Sequence, residues 1–289
     1  MKMKQFAALV VSAACALSLA ACGGSSGSAS AESAPAESAA SEAASAAEGA
    51  GEAASDSAVA AIQAAGKVVM TTNAEFEPFE YKEGDAFAGI DIDIANAIAE
   101  ELGVELEITD IAFDSLIPSL NAGKADFIAA GMTATEDRRK NVDFSDSYFN
   151  ASQSIIVMKD SEITGRSDLN DKVVGVQQGT TGDVYCTNED GSSDVKVKEV
   201  RRYPKGMDAV SDLLAGRLDA VVIDDFPATK LVEKNADKIQ KLDEALTEEE
   251  YAIALPKGSD LTEVVNKVIA DLNESGKMDE IVSTYISAE

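Results

Sequence analysis

The chain has no histidine and no tryptophan among its 289 residues, and it has only three cysteines. Without histidine, Ser/His/Asp and Cys/His catalysis and histidine-ligated metal sites are excluded. Cys15, Cys22 and Cys186 are too few for a four-cysteine zinc site, an iron–sulfur cluster or a disulfide scaffold. We therefore expect no metal ion, no cofactor and no catalytic residue.

Positive charge is also scarce, because 24 Lys and Arg residues stand against 52 Asp and Glu residues and give a formal charge of −28. So acidic a chain repels a phosphate backbone, which argues against nucleic acid as a partner. Apolar residues make up 45% of the chain. This length and composition suffice for one large or two medium domains with proper cores.

The first residues have the pattern of an export signal. Lys2 and Lys4 precede an apolar run from Phe6 to Ala21, which is shorter than the roughly 20 residues of a spanning helix. The run ends in Leu19-Ala20-Ala21-Cys22, which resembles the lipobox of bacterial lipoproteins. That resemblance implies a signal peptide over 1–21 and a lipid on Cys22, which would hold the protein to the outer side of the cell membrane. A simple cleaved signal peptide with a coincidental cysteine is the alternative.

Residues 23–57 contain only Gly, Ser, Ala, Glu, Asp and Pro, so no side chain there can build a core. We predict that 22–58 comprises the lipidated cysteine and a disordered linker. Once 1–21 is removed and Cys22 is lipidated, Cys186 is the one thiol left, and we expect it to be a small core residue.

From about residue 59, segments typical of strands and helices alternate, which predicts an α/β fold with mostly parallel sheets. The predicted strands and helices form two separate β/α series along the chain, which favours two lobes over a single sheet. The predicted helices are 90–102, 113–121, 207–214, 261–272 and 278–286. The predicted strands are 68–72, 104–108, 126–130, 154–158, 173–176, 195–200, 219–223 and 251–255.

Polar and aromatic residues follow four of these strands, and ligands of open α/β sheets bind at the carboxyl ends of strands. These residues could also have purely structural roles. Arg138 follows two acids in a first helical turn, where a surface salt bridge is common; Thr135 could be an N-cap; and Gly179 to Gly182 could be a tight turn. Asp224 could cap the next segment and Phe76 could be a core residue. The candidates are Asn73, Phe76, Phe113, Gly131, Thr133, Arg138, Gln177, Thr180, Thr181 and Asp224.

Together these residues complement an α-amino acid zwitterion. The guanidinium of Arg138 offers a bidentate fork for a carboxylate. Asp224, from the other series, can receive an ammonium group. An aromatic ring such as Phe76 or Phe113 can cover an aliphatic stem, and no nucleophile with an adjacent base is evident.

Several motifs in chain order resemble the polar amino acid family of bacterial solute-binding proteins, which serve ABC transporters. The resemblance covers roughly 66–289. The motifs are Gly89-Ile90-Asp91-Ile92-Asp93, Ile117-Pro118-Ser119-Leu120, Gly131-Met132-Thr133 with Arg138, Val142-Asp143-Phe144-Ser145, Gln178-Gly179-Thr180-Thr181-Gly182 and Gly216-Arg217-Leu218-Asp219.

This resemblance implies a two-lobed periplasmic-binding-protein-like fold of type II, with two mixed, mostly parallel sheets. The hinge strands would lie near 154–160 and 249–255, lobe 1 would be 59–157 plus 252–289, and lobe 2 would be 158–251. The family delivers an amino acid to an ATP-driven importer in the membrane, and family analogy favours a monomer.

The resemblance also assigns roles to the candidate residues. Arg138, with the Thr133 N–H and the backbone near Thr181, would bind the ligand carboxylate. Asp224, the Gly131 carbonyl and the Thr133 hydroxyl would bind the ammonium group. Phe76 and Phe113 would enclose the side chain.

The ligand side chain is less sharply indicated. Many relatives have Asp where this chain has Asn73, and some have Lys where it has Gln177, so an uncharged amide pair favours a neutral or polar amino acid. Glu75 and Glu77 keep a basic ligand (arginine, lysine or ornithine) as the alternative. A periplasmic dehydratase on the same fold would need a general acid, for which Glu75 or Glu77 is the candidate. A sensor or enzyme-fused receptor would add a spanning helix or a catalytic domain, so we expect a free-standing binding lipoprotein.

Overall fold

A computed structural model describes residues 57–191 and 193–286. The predicted signal peptide 1–21, the lipidated Cys22 and almost all of the predicted linker lie outside the described residues. Within the described part of the chain, no helix is both long and apolar enough to cross a membrane.

The strands and helices alternate along the described residues. The strands are β1 (Lys67–Thr72), β2 (Glu75–Phe76), β3 (Glu80–Glu83), β4 (Ala86–Ala88), β5 (Glu105–Asp110), β6 (Phe127–Ile128), β7 (Asp143–Ala151), β8 (Gln153–Met158), β9 (Val173–Gln177), β10 (Glu199–Tyr203), β11 (Ala220–Asp224), β12 (Ile239–Lys241) and β13 (Glu249–Leu255). The α-helices are α1 (Ala58–Ala65), α2 (Ile90–Leu102), α3 (Leu116–Asn121), α4 (Glu136–Arg139), α5 (Thr181–Thr187), α6 (Gly206–Leu214), α7 (Asp225–Glu233), α8 (Leu261–Glu274) and α9 (Lys277–Tyr285). Short 3₁₀ turns cover Phe113–Ser115 and Arg166–Leu169.

These strands form two five-stranded sheets, in the orders β5-β1-β6-β13-β7 and β10-β9-β11-β8-β12, and β2, β3 and β4 form a small third sheet. In the first sheet β1 is parallel to β5 and β6, while β13 runs antiparallel to β6 and β7. The second sheet repeats this scheme with β9 and β11 parallel and β8 antiparallel. The predicted mixed sheets are therefore present, but parallel pairings do not predominate: the two large sheets have four parallel and four antiparallel pairings among the described strands.

The chain crosses between the two large sheets twice, at Ser152 between β7 and β8 and again just before β13. Strand β8 is hydrogen-bonded to β11 and β12 in the second sheet. The predicted lobe boundary at 157/158 counts most of β8 with lobe 1, whereas its pairing places it in the second sheet. The pairing thus favours a division near Ser152.

Helix α2 shows how the sequence determines one of these elements. Its buried face contains Ile90, Ile94, Ile98 and Leu102, at the spacing of successive helical turns. Asp91 and Asp93 lie in the first turn, where the helix dipole favours negative charge. Gly103 ends the helix in the left-handed conformation, with φ of 71°. The predicted helix 90–102 is confirmed.

Other predicted elements differ from the structure. The predicted strand 195–200 is replaced by β10 because the Lys196 N–H bonds to the Asn170 side chain at 2.7 Å instead of to a neighbouring strand. Strand β7 was not predicted, because its polar sequence has low strand propensity and its pairing with β13 forms it. Helix α7 was also not predicted, because Pro227 resembles a break although proline is tolerated in a first turn.

The largest apolar cluster contains residues of both large sheets, and a smaller cluster belongs to the second sheet alone. Cys186 lies in α5, is 2% exposed and packs with Val174, Val176 and Val222 in the core of the second sheet, as predicted for a core residue. Burial raises the pKa of its thiol to about 12, so this cysteine remains protonated.

Candidate functional site

One cavity contains all ten predicted binding residues. Its space is about 290 Å³, counting the part that opens to solvent. The first sheet and its connections contribute six of the predicted residues, and the second sheet contributes four at the ends of β9 and β11. The lining residues are Asn73, Phe76, Glu80, Phe113, Gly131, Thr133, Arg138, Gln177, Thr180, Thr181 and Asp224. The structure thus brings together strand ends that are far apart in sequence, and it adds Glu80.

Arg138 is held in a defined position at this cavity. Thr135 caps α4, since its hydroxyl accepts from the Arg138 N–H at 3.2 Å. The guanidinium donates to the Thr133 carbonyl at 2.8 Å and to the Gly179 carbonyl at 3.0 Å. Its Cζ lies 5.3 Å from the centre of the Phe113 ring. A surface salt bridge to Asp137 is not formed, because Asp137 pairs with Lys140 at 2.8 Å.

Asp224 lies at the end of β11 and is 5% exposed. Its carboxylate accepts a hydrogen bond from the Tyr251 hydroxyl. Burial and then the charge of Glu249 raise the pKa of Asp224 above its ordinary value. A cation beside Asp224 would therefore relieve an unfavourable buried charge.

Glu249 begins β13 and joins the two sides of the cavity. It accepts hydrogen bonds from the Thr133 hydroxyl at 2.5 Å and from the Thr181 hydroxyl at 2.9 Å. Thr133 follows β6 of the first sheet, whereas Thr181 begins α5 beside the second. Glu249 therefore orients both threonines, and nothing in its local sequence distinguishes it from Glu248 and Glu250.

Glu80 is the second residue that the sequence analysis missed. It begins β3, is 1% exposed and has both carboxyl oxygens buried. Burial, followed by the charges of Asp91 and Asp224, raises the pKa of Glu80 well above its ordinary range. Asp91 accepts from the Gly131 N–H at 2.8 Å and from the Tyr148 hydroxyl at 2.7 Å, and burial raises its pKa to about 6.

Glu75 and Glu77, the two acids considered from the sequence, do not line this cavity. Glu75 pairs with Lys205, and Glu77 pairs with Lys234 at 2.7 Å. The reason is the two-residue period of a strand, which turns Glu75 outward and Phe76 inward. The acid that faces the cavity is Glu80 in the paired strand.

The amide pair Asn73 and Gln177 spans the cavity. The Gln177 Nε2 donates to the Asn73 Oδ1 at 2.8 Å, and the Asn73 Nδ2 donates to the Ile111 carbonyl at 2.9 Å. Both side chains are buried. These amides already satisfy part of each other's hydrogen-bonding capacity.

Gly131 allows the Phe76 ring to lie against the floor of the cavity. A Cβ at Gly131 would come 2.7 Å from the Phe76 Cε1, and its φ of +50° is in the left-handed region. Phe113 lies at the other side of Arg138. Two aromatic rings therefore border the space that Arg138 and Asp224 share.

Hydrogen bonds and ion pairs between the first and second lobes surround the cavity. The Gln178 Nε2 donates to Asp114 at 2.9 Å, in addition to the two lysine pairs of Glu75 and Glu77. The two lobes are therefore in close contact around the cavity. Within the described residues, no group of three or more Cys, Asp or Glu side chains is placed to hold a metal ion.

The two sheets, their double crossover and a cavity between them define a two-lobed α/β binding protein. The family model for bacterial extracellular solute-binding proteins, family 3, matches residues 68–288. The chain belongs to this family, and the type II fold expected from the sequence is confirmed.

Individual relatives differ in what their names say they bind. The arginine-binding extracellular protein ArtP of Bacillus subtilis is 35% identical over 77% of this chain and 87% of its own. A probable histidine-binding protein of Neisseria gonorrhoeae is 34% identical over 80% of this chain and 88% of its own. Among solved structures, a variant of ArgBP from T. maritima is 43% identical, with a TM-score of 0.74 over 80% of this chain and 99% of that one. An ancestral amino acid-binding protein described as a precursor of cyclohexadienyl dehydratase is 33% identical, with a TM-score of 0.72 over 79% and 99%.

Proposed function

We propose that this protein captures an α-amino acid between its two lobes and delivers it to an ABC importer. The observation that carries this proposal is the placement of Arg138 and Asp224 in one cavity, each from a different lobe. Arg138 would bind the ligand carboxylate in a bidentate manner, and Asp224 would bind the ammonium group. The relatives reported above are named as binding proteins rather than enzymes.

The remaining polar groups would complete the zwitterion site. The Gly131 carbonyl and the Thr133 hydroxyl would assist Asp224, while backbone N–H groups at Thr133 and Thr181 would assist Arg138. Thr181 begins helix α5, whose N-terminus favours negative charge. Thr180 caps that helix by accepting from the Asp183 N–H at 3.2 Å.

Ligand binding would be coupled to lobe closure. A zwitterion that touches Arg138 of one lobe and Asp224 of the other gains both contacts only in the closed arrangement. The importer would then recognise the closed form. Export, a lipid on Cys22, the flexible linker and a monomeric state complete the proposal and rest on the sequence patterns and the family resemblance.

The ligand side chain admits two proposals. The Asn73–Gln177 amide pair supports the neutral or polar amino acid expected from the sequence. Glu80 supports the basic alternative, because it places an acid in the same cavity. The names of the relatives include arginine, histidine, cystine and glutamine, so both proposals stay open.

The test is thermal unfolding of the protein against the twenty amino acids, cystine and ornithine, after unfolding and refolding to remove co-purified ligand. A ligand at 100 times its Kd adds about 2.7 kcal/mol of stability. At about 2–4 °C per kcal/mol, this corresponds to a shift of about 5–10 °C. Absence of a shift with every amino acid would refute the proposed function.

Arg138→Ala provides the site-specific test, and Arg139→Ala is the matched control on the same helix. Arg139 is exposed and lies 5.2 Å from the Phe144 ring instead of the cavity. We expect Arg138→Ala to weaken binding at least ~30-fold, because the loss of one partner of a buried charge pair costs about 2–5 kcal/mol. Arg139→Ala should bind like the wild type, and equal affinities for all three proteins would refute the carboxylate assignment.

A dehydratase is the second candidate function. It is favoured by Glu80, a buried carboxyl whose raised pKa suits a general acid, and by the likeness to the dehydratase precursor. Incubation with prephenate and arogenate, followed by detection of the dehydrated products, tests it. Turnover that Glu80→Gln abolishes would support the enzyme over the binding protein.

A further inference from the structure

Glu249 is a buried acid at the start of β13, where the chain returns to the first sheet. It is 8% exposed and does not belong to the residues that line the ligand cavity. It lines an adjacent, wider groove, which shares Thr133 and Thr181 with the cavity. Any influence of Glu249 on a ligand therefore acts through its charge or through these two threonines.

Three threonine hydroxyls among the described residues donate to the Glu249 carboxylate. Its Oε2 accepts from Thr133 at 2.5 Å and from Thr181 at 2.9 Å, and its Oε1 accepts from Thr247 at 2.7 Å. An ionised carboxyl only accepts hydrogen bonds, so each of these hydroxyls must direct its single hydrogen at Glu249. Such charge-assisted bonds are roughly twice as strong as bonds between neutral groups.

Gln153 supports these directions from the other crossover. It begins β8 and is fully buried. Its Nε2 donates to the Thr181 hydroxyl at 3.0 Å, and its backbone N–H donates to the Thr247 hydroxyl at 2.9 Å. Each of these two oxygens therefore receives a hydrogen from Gln153 and donates its own to Glu249. The first residues of β8 and β13, one after each crossover, thus orient the hydroxyls together.

Thr133 extends this orientation into the ligand cavity. It lines the cavity together with Gly131 and Asp224. Since its hydrogen is donated to Glu249, only the lone pairs of the Thr133 oxygen are left for a ligand. A ligand ammonium group has three N–H donors, and the Asp224 carboxylate, the Gly131 carbonyl and the Thr133 oxygen are three acceptors. A Thr133 hydroxyl that was free to rotate could instead direct its hydrogen at the ammonium group.

We propose that Glu249 is a positioning residue for the ammonium group of the ligand, because it holds the Thr133 hydroxyl as an acceptor. This inference rests on the proposed function, in which Thr133 assists Asp224 at the ammonium group. Glu249 itself does not touch the ligand. It removes from the cavity a donor that the ammonium group cannot use, so the hydroxyl does not have to reorient when the ligand binds.

The charge of Glu249 offers a competing explanation. Burial, followed by the charge of Glu249, raises the pKa of Asp224, and the same charge opposes the lowering of the Arg138 pKa by burial. A negative field alone would attract a cationic group without any role for Thr133. A purely structural role is the second competitor, since Glu249 also joins Thr181 and Thr247. The explanations differ in whether the effect of Glu249 depends on the Thr133 hydroxyl.

The experiment is a double-mutant cycle of Glu249→Met and Thr133→Val, measured by titration calorimetry. The probes are the amino acids that raise the melting temperature of the wild type in the panel of twenty amino acids, cystine and ornithine. Glu249→Met alone should weaken their binding at least ~10-fold, because the Thr133 oxygen is no longer held as an acceptor for a charged group. In the Thr133→Val background the same change should weaken binding less than ~threefold, because the hydroxyl that Glu249 orients is absent.

Two further variants serve as controls. Glu249→Gln keeps a carbonyl acceptor without the charge, so its affinity should stay within ~threefold of the wild type. Glu250→Gln removes the same charge from the next residue of β13, which is exposed, and should bind like the wild type. If Glu249→Met gives no cooperative thermal transition, Glu249→Ala takes its place in the cycle.

Other outcomes overturn the inference. An equal loss from Glu249→Met in both backgrounds would show a role that does not involve Thr133. In that case Glu249→Gln separates the two competitors, because only a field effect would make it bind as weakly as Glu249→Met. Unchanged affinity in Glu249→Met would show that Glu249 has no part in binding. These outcomes leave the proposed function standing, whereas a wild type that responds to no amino acid of the panel would refute the proposed function itself.

Discussion

The buried carboxyl of Asp91 should make the stability of the ligand-free protein fall as the pH rises. Burial raises the pKa of Asp91 from 3.8 to about 6, despite hydrogen bonds from Gly131 and Tyr148 that favour the charged form. The difference corresponds to about 3 kcal/mol at 1.36 kcal/mol per pH unit. The folded pKa is above the unfolded one, so this stability is fully present below pH 3.8 and is lost as the pH rises through about 6.

The measurable part of this effect lies between pH 5 and 7.5. Over that interval the Asp91 contribution to the free energy of unfolding should decrease by about 1.5 kcal/mol. Asp224 and Glu80 act in the same direction, because burial also raises their pKa values. Asp91→Asn should therefore reduce the pH dependence without abolishing it. An asparagine keeps an oxygen for the Gly131 N–H.

Urea denaturation of wild type and Asp91→Asn at several pH values measures this contribution. Asp93→Asn is the matched control, because Asp93 is on the same helix and also accepts from a tyrosine hydroxyl, that of Tyr285 at 3.0 Å. The difference between wild type and Asp91→Asn should change by about 1.5 kcal/mol across the interval. A difference that is the same at pH 5 and pH 7.5 would refute the assignment of this pH dependence to Asp91, and Asp93→Asn should parallel the wild type.

Two further changes test how the cavity walls are held. Gly89→Ala would place a Cβ 2.1 Å from the Phe79 carbonyl oxygen at a φ of +126°, so it should reduce the melting temperature strongly or prevent folding. Gly84→Ala is the control, because the space around Gly84 is open, and at a φ of +64° it should cost only about 1–2 kcal/mol for the left-handed backbone. Lys205→Ala combined with Lys234→Ala removes both lysine pairs between the lobes. Since exposed pairs contribute about 0–1 kcal/mol each, the double change should weaken amino acid binding by at most about 30-fold at low salt and have little effect at 1 M salt. The same loss at both salt concentrations would contradict an electrostatic contribution.

Most of the site was predictable because strand ends can be recognised in a sequence. Asn73 follows β1, Gly131 comes soon after β6, and Gln177 and Asp224 end β9 and β11, each where an apolar run stops. Parallel strands bring such ends to one edge of a sheet. All ten predicted residues line the cavity. Nine lie in the segments that begin at these four strand ends and Phe113 follows β5, while their roles in binding stay predictions.

Glu80 and Glu249 were not predictable, because their positions depend on pairings that the sequence does not reveal. Glu80 faces the cavity only through the register of β2 and β3, a hairpin too short to show an alternating pattern. Glu249 reaches Thr133 and Thr181 because β13 returns to the first sheet after the whole second series. The same kind of long-range pairing, here with β13, forms β7 although its polar sequence does not predict a strand.

The buried acids also bear on how a ligand would drive closure. Asp224 belongs to the second sheet and Glu80 to the small third sheet, and the charge of Asp224 raises the pKa of Glu80. Separation of the lobes would return water to both carboxyls and remove this cost. A zwitterion with a cationic side chain would place one positive group at each acid. A basic amino acid would then favour the closed form over the open form more strongly than a neutral amino acid does, because the neutral one neutralises only the charge of Asp224. Under the proposed function, Glu80 and Asp224 therefore disfavour closure of the ligand-free lobes. They also favour a basic amino acid as the ligand, because its two positive groups neutralise both acids.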